Sequence, residues 1–188
     1  MAAHPSPKLA IQIASLRLPF PQALNLAGEL GADAVEIDAR GEITPQTLSR
    51  TGLREVRKML NDRRLRVAAV AFRTRRGYAA FEDLDRRVTA TKAAMELASQ
   101  LGAPLVLNSI GPVPPDDDAV GRQLLRDVLD DLGRYGNHVG ATLAAETGNE
   151  SGSQLARVLA ELPDQYLAVD FNPGRLMAGG HSPMDAVA

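Results

Sequence analysis

The sequence predicts an α/β fold, a (β/α) barrel that is incomplete, with about six of the eight βα units present. Three observations predict it. Short apolar, strand-like runs alternate with amphipathic helical runs and no hairpin signal lies between them, which argues for a parallel sheet. A Gly-Ala pair recurs at the joins: Gly31-Ala32 before Ala34-Val35-Glu36-Ile37, Gly102-Ala103 before Leu105-Val106-Leu107, and Gly140-Ala141 before Leu143-Ala144-Ala145. Each glycine follows a helical run and suits the left-handed position that closes a helix, where a Cβ is penalised. Lastly, the first strand leads into Ala14-Ser15-Leu16-Arg17-Leu18-Pro19, which lacks phosphate-binding glycines. That absence and the near-equal repeats favour a closed barrel over an open doubly wound sheet.

Strands are expected near 9–14, 34–38, 66–72, 105–109, 142–146 and 166–171. Between them, apolar residues recur at helical spacing: Ala23, Ala27 and Leu30; Leu53, Val56 and Leu60; Leu84, Val88, Met95 and Ala98; Val120, Leu124, Val128 and Leu132; Leu155, Val158, Leu159 and Leu162. These stripes read as core, because helices of an outer layer must cover a sheet. Six strands fall short of eight, and a complete barrel typically takes about 250 residues. The last residues, Ser182-Pro183-Met184-Asp185-Ala186-Val187-Ala188, read as an N-cap, a proline at the first helical position and one helical turn. The expectation is one domain, 1–188, truncated at its C-terminus; a naturally short protein with a frayed tail is the blander alternative. The first and sixth strands would then be open edges that favour self-association into a homo-oligomer.

Composition narrows the function. The 188 residues carry a net charge of −2 and no cysteine, which excludes disulfides, thiolate metal sites and cysteine nucleophiles, and offers no global field for nucleic acid or membrane. Residues 1–7 lack the apolar stretch of a secretory leader, and no apolar run approaches the roughly 18 residues of a membrane span. A cytoplasmic protein is expected.

In a parallel barrel, chemistry collects where strands end. Glu146 closes the fifth apolar run, before Thr147-Gly148-Asn149-Glu150. A carboxylate there can bind a hard cation or move a proton; a salt bridge at the rim is the structural alternative. Asp170 and Asn172 end the sixth strand and offer oxygen ligands, although Asn172-Pro173-Gly174 is also ordinary turn chemistry. Glu36 and Asp38 share a strand face, suited to a polyol hydroxyl or a rim ion pair. Arg73, Arg75 and Arg76 follow the third strand, where guanidinium groups suit a phosphate or carboxylate, or form a solvated basic loop. Asn108 ends the fourth strand. Of the histidines, His4 lies in the tail and His138 at a helix end on the opposite face, which leaves His181 to approach the site.

The run Leu143-Ala144-Ala145-Glu146-Thr147-Gly148-Asn149-Glu150-Ser151-Gly152 resembles the fifth-strand segment of the sugar phosphate isomerase/epimerase family, with its xylose-isomerase-like TIM barrel. Val169-Asp170-Phe171-Asn172-Pro173-Gly174-Arg175-Leu176 with Gly180-His181-Ser182-Pro183, the loop Arg75-Arg76-Gly77-Tyr78 and Val106-Leu107-Asn108-Ser109-Ile110-Gly111 resemble it too. The resemblance implies a divalent metal ion (Mn, Mg, Co or Zn) and a sugar or sugar phosphate substrate. It further implies proton transfer through an enediolate. It places Glu146 as catalytic group and metal ligand, Asp170 and Asn172 as further metal ligands, and Glu36, Arg73, Arg76, Asn108 and His181 at the substrate. Relatives carry the acid immediately before the proline, where this chain has Asn172, and an Asn where it has Asp170. The family's seventh-strand His and eighth-strand Glu would lie beyond Ala188, so negligible isomerase activity is expected of the chain as given. A non-catalytic sugar- or sugar-acid-binding barrel is the alternative. The related endonuclease IV barrel needs a histidine-rich zinc cluster that strands two to four do not supply.

Overall fold

A computed structural model describes residues 8–148, 150–164 and 166–187; the readings made on residues 1–7, His4 among them, and on Asn149 lie outside the described residues. The elements run β1 (Ala10–Gln12), a 3-10 turn (Ile13–Leu16), α1 (Phe20–Glu29), β2 (Ala34–Asp38), α2 (Arg50–Asp62) and β3 (Arg66–Ala71). There follow α3 (Leu84–Leu101), β4 (Leu105–Asn108), α4 (Ala119–Val139), β5 (Thr142–Glu146), α5 (Gly152–Ala160), β6 (Ala168–Asp170) and α6 (Pro173–Ala178). All pairings are parallel, and the strands lie in chain order from β1 to β6. A doubly wound sheet reverses its order at a switch point; this one does not, as a barrel wall requires.

Local chemistry explains the element ends. Gly102 and Gly140 close α3 and α4 with φ of 73° and 79°, the left-handed conformation expected of the recurring Gly-Ala joins. Ser49 opens α2 by accepting a hydrogen bond from the Gly52 N–H at 3.1 Å, and Ser151 with Gln154 forms a capping box at α5, each satisfying amides that the first helical turn leaves unpaired.

The helices cover one face of the sheet. Val35, Ile37, Val70, Val106 and Leu143 pack there with Leu24, Leu60, Met95, Leu129 and Leu132 in one core. The other face carries small residues: Ala69, Ala71, Leu107 and Ala144 cluster, with Leu105 and Ala168 packed against them. That concave layer is the interior of the incomplete barrel. Two stripe residues are not core: Leu30 caps α1 at 58% exposed and Val120 opens α4 at 66% exposed, because both sit at helix ends beyond the sheet they were expected to cover. The helix expected from Ser182 is a turn instead, in which Ser182 Oγ accepts from the Asp185 N–H at 3.2 Å. Among the described residues no helix is long and apolar enough to cross a membrane.

Side chains tie distant strands of this wall together: the guanidinium of Arg73 hydrogen-bonds Glu36 on β2 at 3.3 Å and Glu146 on β5 at 2.8 Å.

Candidate active site

The strand ends bring together Glu36, Arg73, Glu146, Asp170, Asn172 and Arg175. Parallel register sets the first part of this cluster: Gln12 pairs with Glu36, and Glu146 with Asp170, so each pair faces the interior together. Gln12 Nε2 donates to Glu36 Oε1 at 2.7 Å. Arg73 lies just past β3 and crosses the interior to both glutamates. The start of α6 supplies the rest. Asn172 is its N-cap, with Oδ1 accepting from the Arg175 N–H at 3.0 Å and Pro173 at the first helical position, which turns Arg175 back over the end of β5. Arg175 Nη1 donates to Glu146 Oε2, the oxygen that Arg73 Nε also reaches, while Asn172 Nδ2 donates to Oε1 at 3.1 Å. This roof requires glycine at 148, where φ is 132° and a Cβ would come within 2.5 Å of Arg175 Cβ.

Glu146 is only 2% exposed. Burial by itself raises a carboxyl pKa, but the hydrogen bond and charge of Arg73, the charge of Arg175 and the Asn172 amide outweigh it, so Glu146 lies below the usual carboxylate value. Its neighbour moves the other way. Burial and the negative charge of Glu146 raise the Asp170 carboxyl, with Arg73 opposing. The result is a doubly clamped glutamate whose ionised form is favoured, beside an aspartate whose ionised form is disfavoured.

These residues do not fit a divalent cation. Such an ion wants several oxygens turned toward it; here two guanidinium groups occupy Glu146, and Asn172 turns its NH₂ inward because its oxygen caps α6. No group of three or more histidine or acidic side chains is placed to hold a metal among the described residues.

The other expected site residues make their hydrogen bonds outside this cluster. Asn108 is fully buried and donates to the Phe72 carbonyl at 2.6 Å, on the helix-facing side of β4. Arg76 pairs with exposed Glu82. His181, partly exposed, follows α6, its N–H donating to the Leu176 carbonyl at 2.8 Å. Asp38 accepts from the Arg40 N–H at 2.9 Å. Two residues not singled out from sequence bear on the site: Arg175, which clamps Glu146, and Glu150, which feels the charge of Arg175 and is 3% exposed with neither carboxylate oxygen hydrogen-bonded. No periodicity marks either one; proline and glycine at 173 and 174, turning the chain over β5, were the available signal for Arg175.

A family model described as xylose isomerase-like TIM barrel matches residues 24–183. The chain belongs to this family. No protein of curated function matches it in sequence. Among solved structures, a xylose isomerase domain protein from Planctomyces limnophilus is 21% identical with a TM-score of 0.80, over 96% of this chain and 66% of that one. A D-tagatose 3-epimerase-like protein is 15% identical with a TM-score of 0.77, over 96% and 70%. The IOLI protein, solved with a bound zinc atom, is 17% identical with a TM-score of 0.77, over 94% and 66%. At such identities the likeness is one of fold, and the chain spans about two thirds of the length of these xylose isomerase-like barrels.

Proposed function

We propose that the strand ends form the proton-transfer and substrate-holding part of an isomerase/epimerase-type site for a sugar with an anionic group, a sugar phosphate or a sugar acid. The observation that carries this reading is the buried Glu146 carboxylate held by Arg73 and Arg175 at the mouth of the barrel wall. Arg175, with 40% of its side chain exposed, is the group an entering phosphate or carboxylate would engage first, since guanidinium binds such oxygens bidentately. Drawing Arg175 away from Glu146 removes part of what depresses its proton affinity. Glu146 then takes the proton from the carbon beside the substrate carbonyl. The C–H electron pair forms the enediolate double bond and the carbonyl pair moves onto oxygen, where Arg73 stabilises the charge. Return of the proton to the neighbouring carbon, with the hydroxyl proton passing to the oxygen that gained charge, shifts the carbonyl.

One base suffices for hydrogen exchange at carbon, but passing the hydroxyl proton for net isomerisation, or inverting the carbon, needs a second proton-carrying group. Asp170 adjoins Glu146 on the next strand and Glu36 is held by Gln12 and Arg73, so neither is placed to act from the far side of the substrate. We therefore expect negligible net turnover by this chain but measurable exchange of the substrate's carbon-bound hydrogen. The test is proton NMR of ketose and aldose phosphates, and of sugar acids, incubated with the protein in D₂O. Deuterium at the carbon next to the carbonyl, lost in Glu146→Gln, sustains the proposal. The second reading, a non-catalytic sugar-acid-binding barrel, is favoured by the depressed basicity of Glu146. Calorimetric binding of a sugar acid with no exchange would establish it in place of the first.

A further inference from the structure

Arg175 acts on two buried carboxylates. It hydrogen-bonds Glu146, and it is the one charge that acts appreciably on Glu150 among the described residues. Glu150 occupies the short loop between β5 and α5, just ahead of the Ser151 cap. The C-terminal segment closes over this loop: a Cβ at Gly152 would meet Ala186 Cβ at 2.5 Å, and one at Gly179 would meet the Gly148 carbonyl oxygen at 2.2 Å. Under that cover both Glu150 oxygens are buried without a hydrogen-bond partner. A buried polar group left unpaired costs about 1–3 kcal/mol, and more if charged, so a native fold that keeps one there calls for an explanation. The Ser151 and Gln154 side chains, which are near in sequence, are taken up by the capping box.

We propose that Glu150 is a positioning residue that competes with Glu146 for the Arg175 guanidinium, and so sets how tightly the reacting carboxylate is held. This rests on the reading of Glu146 given above. When Glu150 is a neutral acid it makes no claim on Arg175, and Glu146 stays clamped. When Glu150 ionises, its buried charge is stabilised only as Arg175 turns toward it. That movement leaves Glu146 to Arg73 and Asn172, with greater proton affinity. Burial places the change in a useful range, because it pushes the Glu150 carboxyl up to about 7, against the smaller downward pull of Arg175.

Glutamate carboxyl ¹³C NMR of the full chain, titrated from about pH 4 to about pH 9, tests the competition without requiring turnover. Glu150→Gln and Glu146→Gln assign the two resonances, and far-UV circular dichroism checks the fold of each. The expected result is that the Glu150 resonance titrates near neutral pH, and that the Glu146 resonance inflects at the same pH in the native chain and not in Glu150→Gln. Should Glu150→Gln fail to fold, Arg175→Gln replaces it: the shared inflection vanishes and the Glu150 midpoint moves up. A Glu146 resonance that stays flat while Glu150 titrates overturns the proposal, as does a Glu150 midpoint in the ordinary carboxylate range. Absence of hydrogen exchange in the substrate assay, with the shared inflection intact, would instead sink the catalytic role of Glu146 and leave the coupling standing.

Discussion

The ends of β5 and β6 are neighbours that behave as opposites. Glu146 and Asp170 are register partners on one sheet face, both carboxylates, the first buried and the second half-buried. Glu146 collects two guanidinium groups and an amide and is held ionised; Asp170 accepts none of those hydrogen bonds and is pushed toward its neutral form by burial and by Glu146 itself. The strands differ in the same sense. On β5 every residue from Leu143 to Glu146 is buried, whereas Val169 at the centre of β6 is 49% exposed. The cause is the helix packed on each strand. α4 lies against β5, while α6 has six residues and stays at the mouth. A helix at the rim brings Arg175 to the site but leaves its own strand uncovered.

The largest effect should come from the packed side of that contrast. Leu143 is fully buried, so Leu143→Ala is expected to cost about 3 kcal/mol, within the range for large-to-small core changes. Val169→Ala should stay within about 0.5 kcal/mol, as for other exposed positions. Urea unfolding midpoints compare the two directly, and equal losses would mean that the outer face of β6 is covered in solution.

Next in size is the pH dependence set by Glu150. Its folded pKa, about 7, lies above the ordinary 4.5, so the stability linked to its neutral form is complete below about 4.5 and is lost as pH rises to about 7 and beyond. The loss is on the order of 3 kcal/mol, because raising a pKa by one costs the charged form roughly 1.4 kcal/mol. Glu146 has the opposite sign: its contribution is present above the ordinary carboxylate value and disappears as pH falls through its depressed one. Thermal melts of Glu150→Gln should therefore match the native chain near pH 5 and exceed it near pH 8. A native melting temperature that does not fall between those two values would show that the buried carboxylate has found a partner.

A smaller effect separates the two arginines. Arg73→Ala removes a bridge between β2 and β5 and should cost about 1–2 kcal/mol, less than a fully buried pair because the guanidinium reaches water. Arg175→Ala should cost less, about 1 kcal/mol or under, since Arg175 is the more exposed and touches one carboxylate. Each should move Glu146 titration upward, Arg73→Ala the further, as read by the same carboxyl NMR. An inverted order would mean that Arg175 is the principal clamp.

The strand ends were legible in the sequence for a physical reason. A period of two puts Glu36, Glu146 and Asp170 on the inner face once the strands are placed, and the glycines at 102 and 140 place β4 and β5 closely. Asn108 escaped that logic because β4 is apolar on both faces, so no alternation tells inward from outward. Arg175 sits in a helix whose direction depends on how α6 packs over Gly148. Glu150 owes its character to burial under residues some thirty positions later, which no local pattern encodes. Leu30 and Val120 show the reverse error, where periodicity continues past the point at which the sheet ends.

The smallest expected change tests the source of the asymmetry itself. Asp170→Asn removes a charge that burial and Glu146 both disfavour, with Arg73 partly offsetting them. It should stabilise the chain slightly at neutral pH, by less than about 1 kcal/mol given the solvent that reaches this half-buried position, and the gain should fade at low pH as native Asp170 takes up its proton. The double variants sort the causes. With Arg73→Ala the gain should grow, because the offsetting cation is gone. With Glu146→Gln it should shrink, because the repelling charge is gone. If the gain survives undiminished in Glu146→Gln, burial alone raises Asp170, and the opposite behaviour of the two strand ends comes from packing rather than from the charge they share.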